Sequence, residues 1–249
     1  ISSTRDTVGP MARSVGDLAL VDSVITGVSR ELTSIALAGL RLGIPRDYFH
    51  DDLEPAVANR FAEFLDSLKS EGVVLVEEDI PGVQSLNEAV SFVVVKYEVR
   101  RCLESYLAKS APEVSFEMVR SQIVSTDVRT VYDAISNLAL VPEETYRAAV
   151  ESHRPALQQA MAEYFQRHRL DAYIVPSCCM TARPIGHDDT VELNGRQVPT
   201  FPSFIRNADP SSNAGIPSIS IPIGTSHAGL PIGAMIEGPA NSDRRMLAI

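Results

Sequence analysis

The sequence predicts an α/β fold in which a mixed, twisted sheet carries helices on both faces. Three observations predict it. Short apolar runs at Leu40–Ile44, Val73–Val76 and Asp171–Val175 are bounded by Gly, Pro or Asp and read as strands. The stretch from about 83 to 169 has helical periodicity. Two more apolar runs, Ile216–Ile223 and Leu230–Ile236, flank a short Gly-rich linker and read as a hairpin.

Each element has a local reason. Ser14 can cap a helix carrying Leu18, Val21, Val24 and Ile25, and Gly27 suits its left-handed stop. Leu40–Ile44 is a strand closed by Pro45. Asp51 or Asp52 can cap the next helix, which places Val57, Phe61, Phe64, Leu65 and Leu68 on one face and ends near Gly72. The β-branched run Val73–Val76 is expected to be buried on both faces, completing a βαβ unit. Two helical stripes follow: Leu86, Val90, Val93, Val94 and Tyr97, then Tyr146, Val150, Leu157, Met161, Tyr164 and Phe165. Glu143 and Glu144 favour the start of the second, and Pro155 should kink or break it. Residues 108–141 are less periodic and read as a helical excursion over a cleft. Residues 176–213 are rich in Pro, Gly, Asp, Ser and Asn and read as one long irregular loop. Asn241 or Ser242 can cap a last helix opening with Met246, Leu247 and Ile249.

Composition excludes several function classes. Of 249 residues, 45% are hydrophobic and 22% charged, which is ordinary for a globular chain and not for a disordered one. No apolar run is long enough to span a bilayer, so no membrane partner is expected. The net charge is −10 and no Lys/Arg run exceeds two residues, so no nucleic-acid partner is expected either. The cysteines are Cys102, Cys178 and Cys179, an odd set with no framework spacing, and a secretory signal is not visible; this fits a cytoplasmic protein. The chain begins at Ile1 and stops as its last helix opens, which reads as a piece of a longer protein.

Few residue groups suggest chemistry. Cys178 and Cys179 with His187 lack a second ligand pair, so no metal and no cofactor is expected. A Cys–His nucleophile pair using Cys178 with His153, His168 or His187 has no supporting local pattern. Ser211–Gly215 lacks the spacing of a nucleophile elbow and reads as a turn before a strand. Phe204–Pro210 is more informative. It sets Arg206, Asn207 and Asp209 in a loop flanked by apolar residues, where they can orient a small polar ligand; equally, Arg206 can pair with Asp209 to hold the loop.

Four segments, in order, resemble one family. Asp6–Val15 reads DTVGPMARSV and is followed by Asp17–Leu20. Asp171–Ser177 reads DAYIVPS. Asn213–Pro222 reads NAGIPSISIP, and Gly229–Gly233 with Glu237–Pro239 completes a strand pair. Together they resemble the amidase signature enzymes. Within that family, Ile205–Asn213 and Ser242–Ile249 look most like arylacetamide hydrolases, meaning indoleacetamide and mandelamide hydrolases, with a lean to mandelamide.

The resemblance implies the C-terminal part of a single amidase signature domain over residues 1–249. The helical cover would be about 83–169, and the sheet segments about 40–77 and 171–239. It implies a catalytic Ser–cisSer–Lys triad upstream of this chain and no catalytic residue within it; Lys69, Lys96 and Lys109, the only lysines, have no matching context. The implied reaction is hydrolysis of a small arylacetamide to the acid and ammonia, with a small-molecule amide as partner and a possible homodimer. The candidate substrate-binding residues are Phe92, Val95, Tyr97, Phe204, Arg206, Asn207, Asp209 and Asn213. Phe92 and Tyr97 fit ordinary helix core equally well. A broad aliphatic amidase is an alternative within the family. The amidotransferase component that works on charged tRNA is disfavoured by the missing basic patch. Outside it stand a non-catalytic ligand-binding or scaffold domain of the same fold, and an independent hydrolase using Cys178 or Ser211.

Overall fold

The computed structural model describes residues 2–28 and 32–249; Ile1 lies outside them. The helices are α1 Val15–Thr26, α2 Pro55–Ser70, α3 Val83–Glu88, α4 Ser91–Ser110, α5 Phe116–Ser121 and α6 Thr126–Ile135. After these come α7 Glu143–Ala148, α8 Arg154–His168, α9 Thr200–Ile205, α10 Asp209–Ala214 and α11 Asp243–Ala248. The strands are β1 Arg41–Gly43, β2 Val74–Val76, β3 Ala172–Pro176, β4 Thr190–Leu193, β5 Arg196–Pro199, β6 Ser218–Thr225 and β7 Pro231–Glu237.

A five-stranded sheet has the order β2-β1-β3-β7-β6. β1 pairs in parallel with β2 and β3, while β7 runs antiparallel to β3 and β6, so the sheet is mixed as the sequence predicts. Side-chain alternation sends the two faces to different cores. Leu42, Ala172, Ile174, Ala234 and Ile236 meet Phe61, Leu65 and Leu68 of α2. Tyr173, Val175 and Met235 meet Leu157, Met161, Tyr164 and Phe165 of α8. Gly43 is required by close approach: a Cβ there would lie 2.4 Å from the Tyr164 hydroxyl.

Ser14 caps α1 by accepting from the Asp17 amide, and Gly27 ends it in the left-handed region with φ 69°. The Val83–Arg169 cover is helical, and within it α4 packs its outer half on Phe116 and Ile135, forming the excursion expected over 108–141.

Several expectations need correction. Asp51 and Asp52 do not cap α2; Pro55 opens it without a side-chain cap, its ring presetting the helical φ. β2 is an edge strand with Val74 40% exposed, because an apolar run of that length does not distinguish an edge from a centre. Pro155 interrupts the α-helical run, as expected, without ending the helical segment. A π turn at Ala149–His153 absorbs the missing N–H, and Pro155 sits in the first turn of α8. Residues 176–213 are not irregular: they hold the β4–β5 hairpin, α9 and α10. The hairpin turn is Asn194-Gly195, with φ 49° and 79°, a dipeptide that favours this geometry. Ser211–Ala214 is helical rather than a turn, and Gly215 stops it at φ 71°. Ser242 occupies the cap position of α11, but its side chain makes no capping bond.

Candidate active-site flank

The candidate polar residues meet at the carboxyl ends of β1 and β3. The loop after β1, residues 45–54, turns back on itself with Tyr48 at φ 72° and Asp52 at φ 52°, both left-handed without being glycine. It is fastened to the chain beyond β3. The Glu54 carboxylate accepts from the Thr181 amide at 2.7 Å and pairs with Arg183 at 3.3 Å. Asp52 accepts from Asn194 at 3.0 Å and from Arg196; the Asn194 bond first, and the Arg196 charge after it, hold its carboxyl below the usual range.

Asn207 ties these segments together. It is 1% exposed, and its amide donates to the Phe49 carbonyl at 3.0 Å and to the Pro176 carbonyl at 2.8 Å. One side chain thus joins the loop after β1 to the end of β3. Arg206 lies beside it, partly buried, donating through Nε to Asn207 Oδ1 at 3.1 Å and through Nη2 to the Phe49 carbonyl at 3.5 Å.

Asp209 is the second node. Its carboxylate accepts from Arg5 and, at 2.8 Å, from Asn87 of α3. Arg206 does not pair with Asp209, contrary to one sequence expectation; Arg5 takes that place because residues 2–6 cross α10 directly. Asn213 donates to Asn87 Oδ1 at 2.7 Å, so Asp209, Asn87 and Asn213 form one buried chain. Phe204 lies outside it and packs on Cys179, Met180 and the β4–β5 hairpin.

The α4 candidates sit apart from this group. Val95 packs toward Val99 and Leu103, Tyr97 stacks on Tyr146 with centroids 3.9 Å apart, and Phe92 is 38% exposed under the Lys96 ammonium. The structure therefore brings Arg206, Asn207, Asp209 and Asn213 together and leaves Phe92, Val95 and Tyr97 on another helix. Sequence reasoning missed Arg5, Tyr48 and Asn87. Arg5 had a visible signal, since it immediately precedes the Asp6–Val15 motif.

Electrostatics around Arg206 are one-sided. Burial and the Asp209 charge push the Tyr48 hydroxyl up to about 12, and this hydroxyl donates to the Arg206 carbonyl. Burial, with Arg46 and Arg206 nearby, pushes His50 down to about 4, so its imidazole is neutral near pH 7. Burial also raises the Cys178 and Cys179 thiols, which donate to the Phe204 and Ser203 carbonyls. Ser211 is buried and donates to the Ala208 carbonyl. These are poor settings for a nucleophile. Among the described residues, no cluster of His, Cys, Asp and Glu could hold a metal, and no helix is long and apolar enough to cross a membrane.

A sequence model of the Amidase family matches residues 1–247. The chain belongs to the amidase family. It is 41% identical over 249 residues to an indoleacetamide hydrolase of Agrobacterium vitis, covering 100% of this chain and 53% of that protein. It is 36% identical over 265 residues to a mandelamide hydrolase of Pseudomonas putida, covering 100% of this chain and 50% of that protein. The chain thus spans about half the length of the curated relatives it matches. A crystal structure of an amidase matches 96% of this chain and 50% of its own with a TM-score of 0.77 at 24% identity. The native peptide amidase of Stenotrophomonas maltophilia matches 100% of this chain and 53% of its own with a TM-score of 0.67 at 23% identity. These two likenesses establish the fold.

Proposed function

We propose that the whole protein hydrolyses a small arylacetamide, such as mandelamide, to the carboxylic acid and ammonia. The observation that carries this reading is the identity, sustained over the full chain, to proteins named indoleacetamide hydrolase and mandelamide hydrolase. By resemblance to the family, a Ser–cisSer–Lys triad would lie upstream of residue 1. There a lysine takes a proton through the bridging serine, the nucleophilic serine attacks the carboxamide carbon, ammonia leaves, and water releases the acid. A neighbouring base is needed because a serine hydroxyl is a weak nucleophile at its free pKa. Backbone amides of the upstream Gly-rich segment would hold the oxyanion.

The present chain would supply the acyl side of the pocket. Phe204 and Arg206 are the proposed contact groups at the carboxyl ends of β1 and β3, a common ligand position in α/β sheets. Asn207 and Asp209 are buried and hydrogen-bonded, and Asn213 is buried with its amide nitrogen donating to Asn87 while its Oδ1 has no partner; this supports a role for the three in fixing the wall. Phe92, Val95 and Tyr97 would add an apolar side from α4. Each methylene matched or missed in such a wall changes selectivity by about 1–3 kcal/mol.

Ammonia release by the full-length protein tests the proposal, with mandelamide and indoleacetamide as substrates. Turnover of either, lost when the upstream nucleophilic serine is changed to Ala, is the expected result. No ammonia from either, nor from unsubstituted phenylacetamide, would favour a scaffold of the same fold.

A further inference from the structure

Of the seven asparagines in the sequence, Asn194 is the one that a glycine follows. It opens the β4–β5 turn at φ 49°, with Gly195 at φ 79°, and both residues are exposed. The other six are placed differently. Asn59, Asn87 and Asn213 lie within α2, α3 and α10, where the backbone is held in a helix. Asn207 is buried, and Asn137 and Asn241 precede the bulkier Leu138 and Ser242.

The Asn194 side chain also fastens the hairpin. Its Nδ2 donates to Asp52 Oδ1 at 3.0 Å and to the Leu53 carbonyl at 3.0 Å. These two bonds, with Arg196 on Asp52, pin the hairpin tip to the loop after β1. Next to the pin, Leu53 packs in one cluster with Val191, Leu193, Val198 and Phe204.

We infer that Asn194-Gly195 is a self-modification site, at which the Gly195 nitrogen closes on the Asn194 side chain and leaves a carboxylate that unpins the hairpin. The nitrogen forms a bond to Asn194 Cγ, the Cγ–Nδ2 bond breaks, and Nδ2 leaves as ammonia with the proton the nitrogen gives up. The resulting five-membered imide takes up one water and opens to an α- or β-linked aspartyl residue. Water is the co-reactant. Glycine favours ring closure because it lacks a Cβ, so its nitrogen is unhindered and its backbone is free to turn. In the closed turn Glu192 Oε1 accepts from the Gly195 N–H at 2.7 Å, and this bond and the pin open before the ring forms. Glu192, Asn194 and Gly195 are all exposed, so that opening is a low-cost local event. The product does not pin again. A carboxylate has no donor for the Leu53 carbonyl, and it faces the Asp52 carboxylate as a like charge. The step is therefore one-way, and it loosens the hairpin that packs on Phe204.

The test uses the full-length protein and does not depend on which amide it hydrolyses. The protein is held at mildly alkaline pH for days and mapped peptide by peptide by mass spectrometry. The mass gain that marks NH2 replaced by OH should appear at position 194 before it appears at any of the other six asparagines. The consequence is read in N194D by hydrogen exchange. Residues 45–54 and 190–199 should both exchange faster than in wild type by about tenfold or more, the scale of one lost hydrogen bond to a charged group. D52N/N194D exchanges donor and acceptor across the pin and should restore slow exchange. A gain at 194 that is absent, or no faster than elsewhere, overturns the inference. So does N194D exchanging like wild type, or a double variant that exchanges as fast as N194D.

Discussion

Two regions of the molecule bury acidic side chains, and they do it in opposite ways. In the seam where residues 2–6 cross α4 and α10, Glu98 and Asp209 are 3% and 6% exposed and every carboxylate oxygen has work. Glu98 accepts from Ser2, from Thr4 at 2.8 Å and from Tyr146 at 2.6 Å; Asp209 accepts from Arg5 and Asn87. In the β3–β7 ladder, Glu237 is 0% exposed, sits opposite Tyr173, and neither of its oxygens has a partner. The Tyr173 hydroxyl is also buried without a partner. Glu98 and Glu237 are both withdrawn from the surface, and partnering separates the directions in which their carboxyls shift. A buried carboxylate with donors stays ionised, while a buried carboxyl without them holds its proton.

The largest effect should come from breaking the Asp209 node. The Arg5 and Asp209 side chains are 14% and 7% exposed, so D209A leaves a guanidinium and the Asn87 amide unmet inside the protein. Removing one partner of a buried pair costs about 3–5 kcal/mol. Denaturant melts of the full-length protein should show that loss. A change below about 1 kcal/mol would mean that the seam is open to water and that the comparison fails.

The Glu98 node should respond less and with a defined pH sign. Burial alone would raise its carboxyl, but the bonds from Ser2, Tyr146 and Thr4 outweigh burial and hold it below the ordinary value. Its contribution is therefore present above the unfolded Glu pKa and lost as pH falls through the lower folded value. E98Q should cost about 1–3 kcal/mol at pH 7, the range for a charged hydrogen-bonded group. The gap between variant and wild type should narrow below about pH 4, near the unfolded pKa. A gap that is constant from pH 7 to pH 3 would show that charge plays no part.

These nodes also mark what was legible in the sequence. The sheet was legible because strands declare themselves through local patterns: DAYIV gives β3, and the Pro-flanked runs after Gly215 give β6 and β7. α2 and α8 were legible because their stripes repeat at helical spacing. The polar seam was not. Arg5 and Asp209 are 204 residues apart, and nothing local to either says they meet. Asn207 looked like a loop residue, yet it is buried because two carbonyls from distant segments need its amide. The β4–β5 hairpin is a different kind of miss. Asn194-Gly195 was in plain view, but the surrounding Pro, Asp and Ser masked strands of only four residues each.

The smallest effect, and the one that most sharpens the comparison, belongs to Glu237. Burial raises its carboxyl well above the ordinary value. Because the folded pKa is raised for an acid, the native state binds the extra proton. Stability on this account is greatest below the unfolded pKa of about 4.3 and declines as pH rises toward the folded value, the reverse of Glu98. Tyr173 on β3 and Ser218 on β6 stand opposite Glu237 in the sheet, and burial is the only cause acting on the Glu237 carboxyl. E237Q replaces the carboxyl with a neutral amide of nearly the same shape. It should therefore be neutral at pH 5 and raise the melting temperature by about 2–4 °C at pH 8, equivalent to about 1 kcal/mol in a domain of this size. A lower melting temperature at pH 8 than at pH 5 for E237Q relative to wild type would mean that Glu237 is ionised and paired after all. Both buried-acid regions would then follow one rule instead of two.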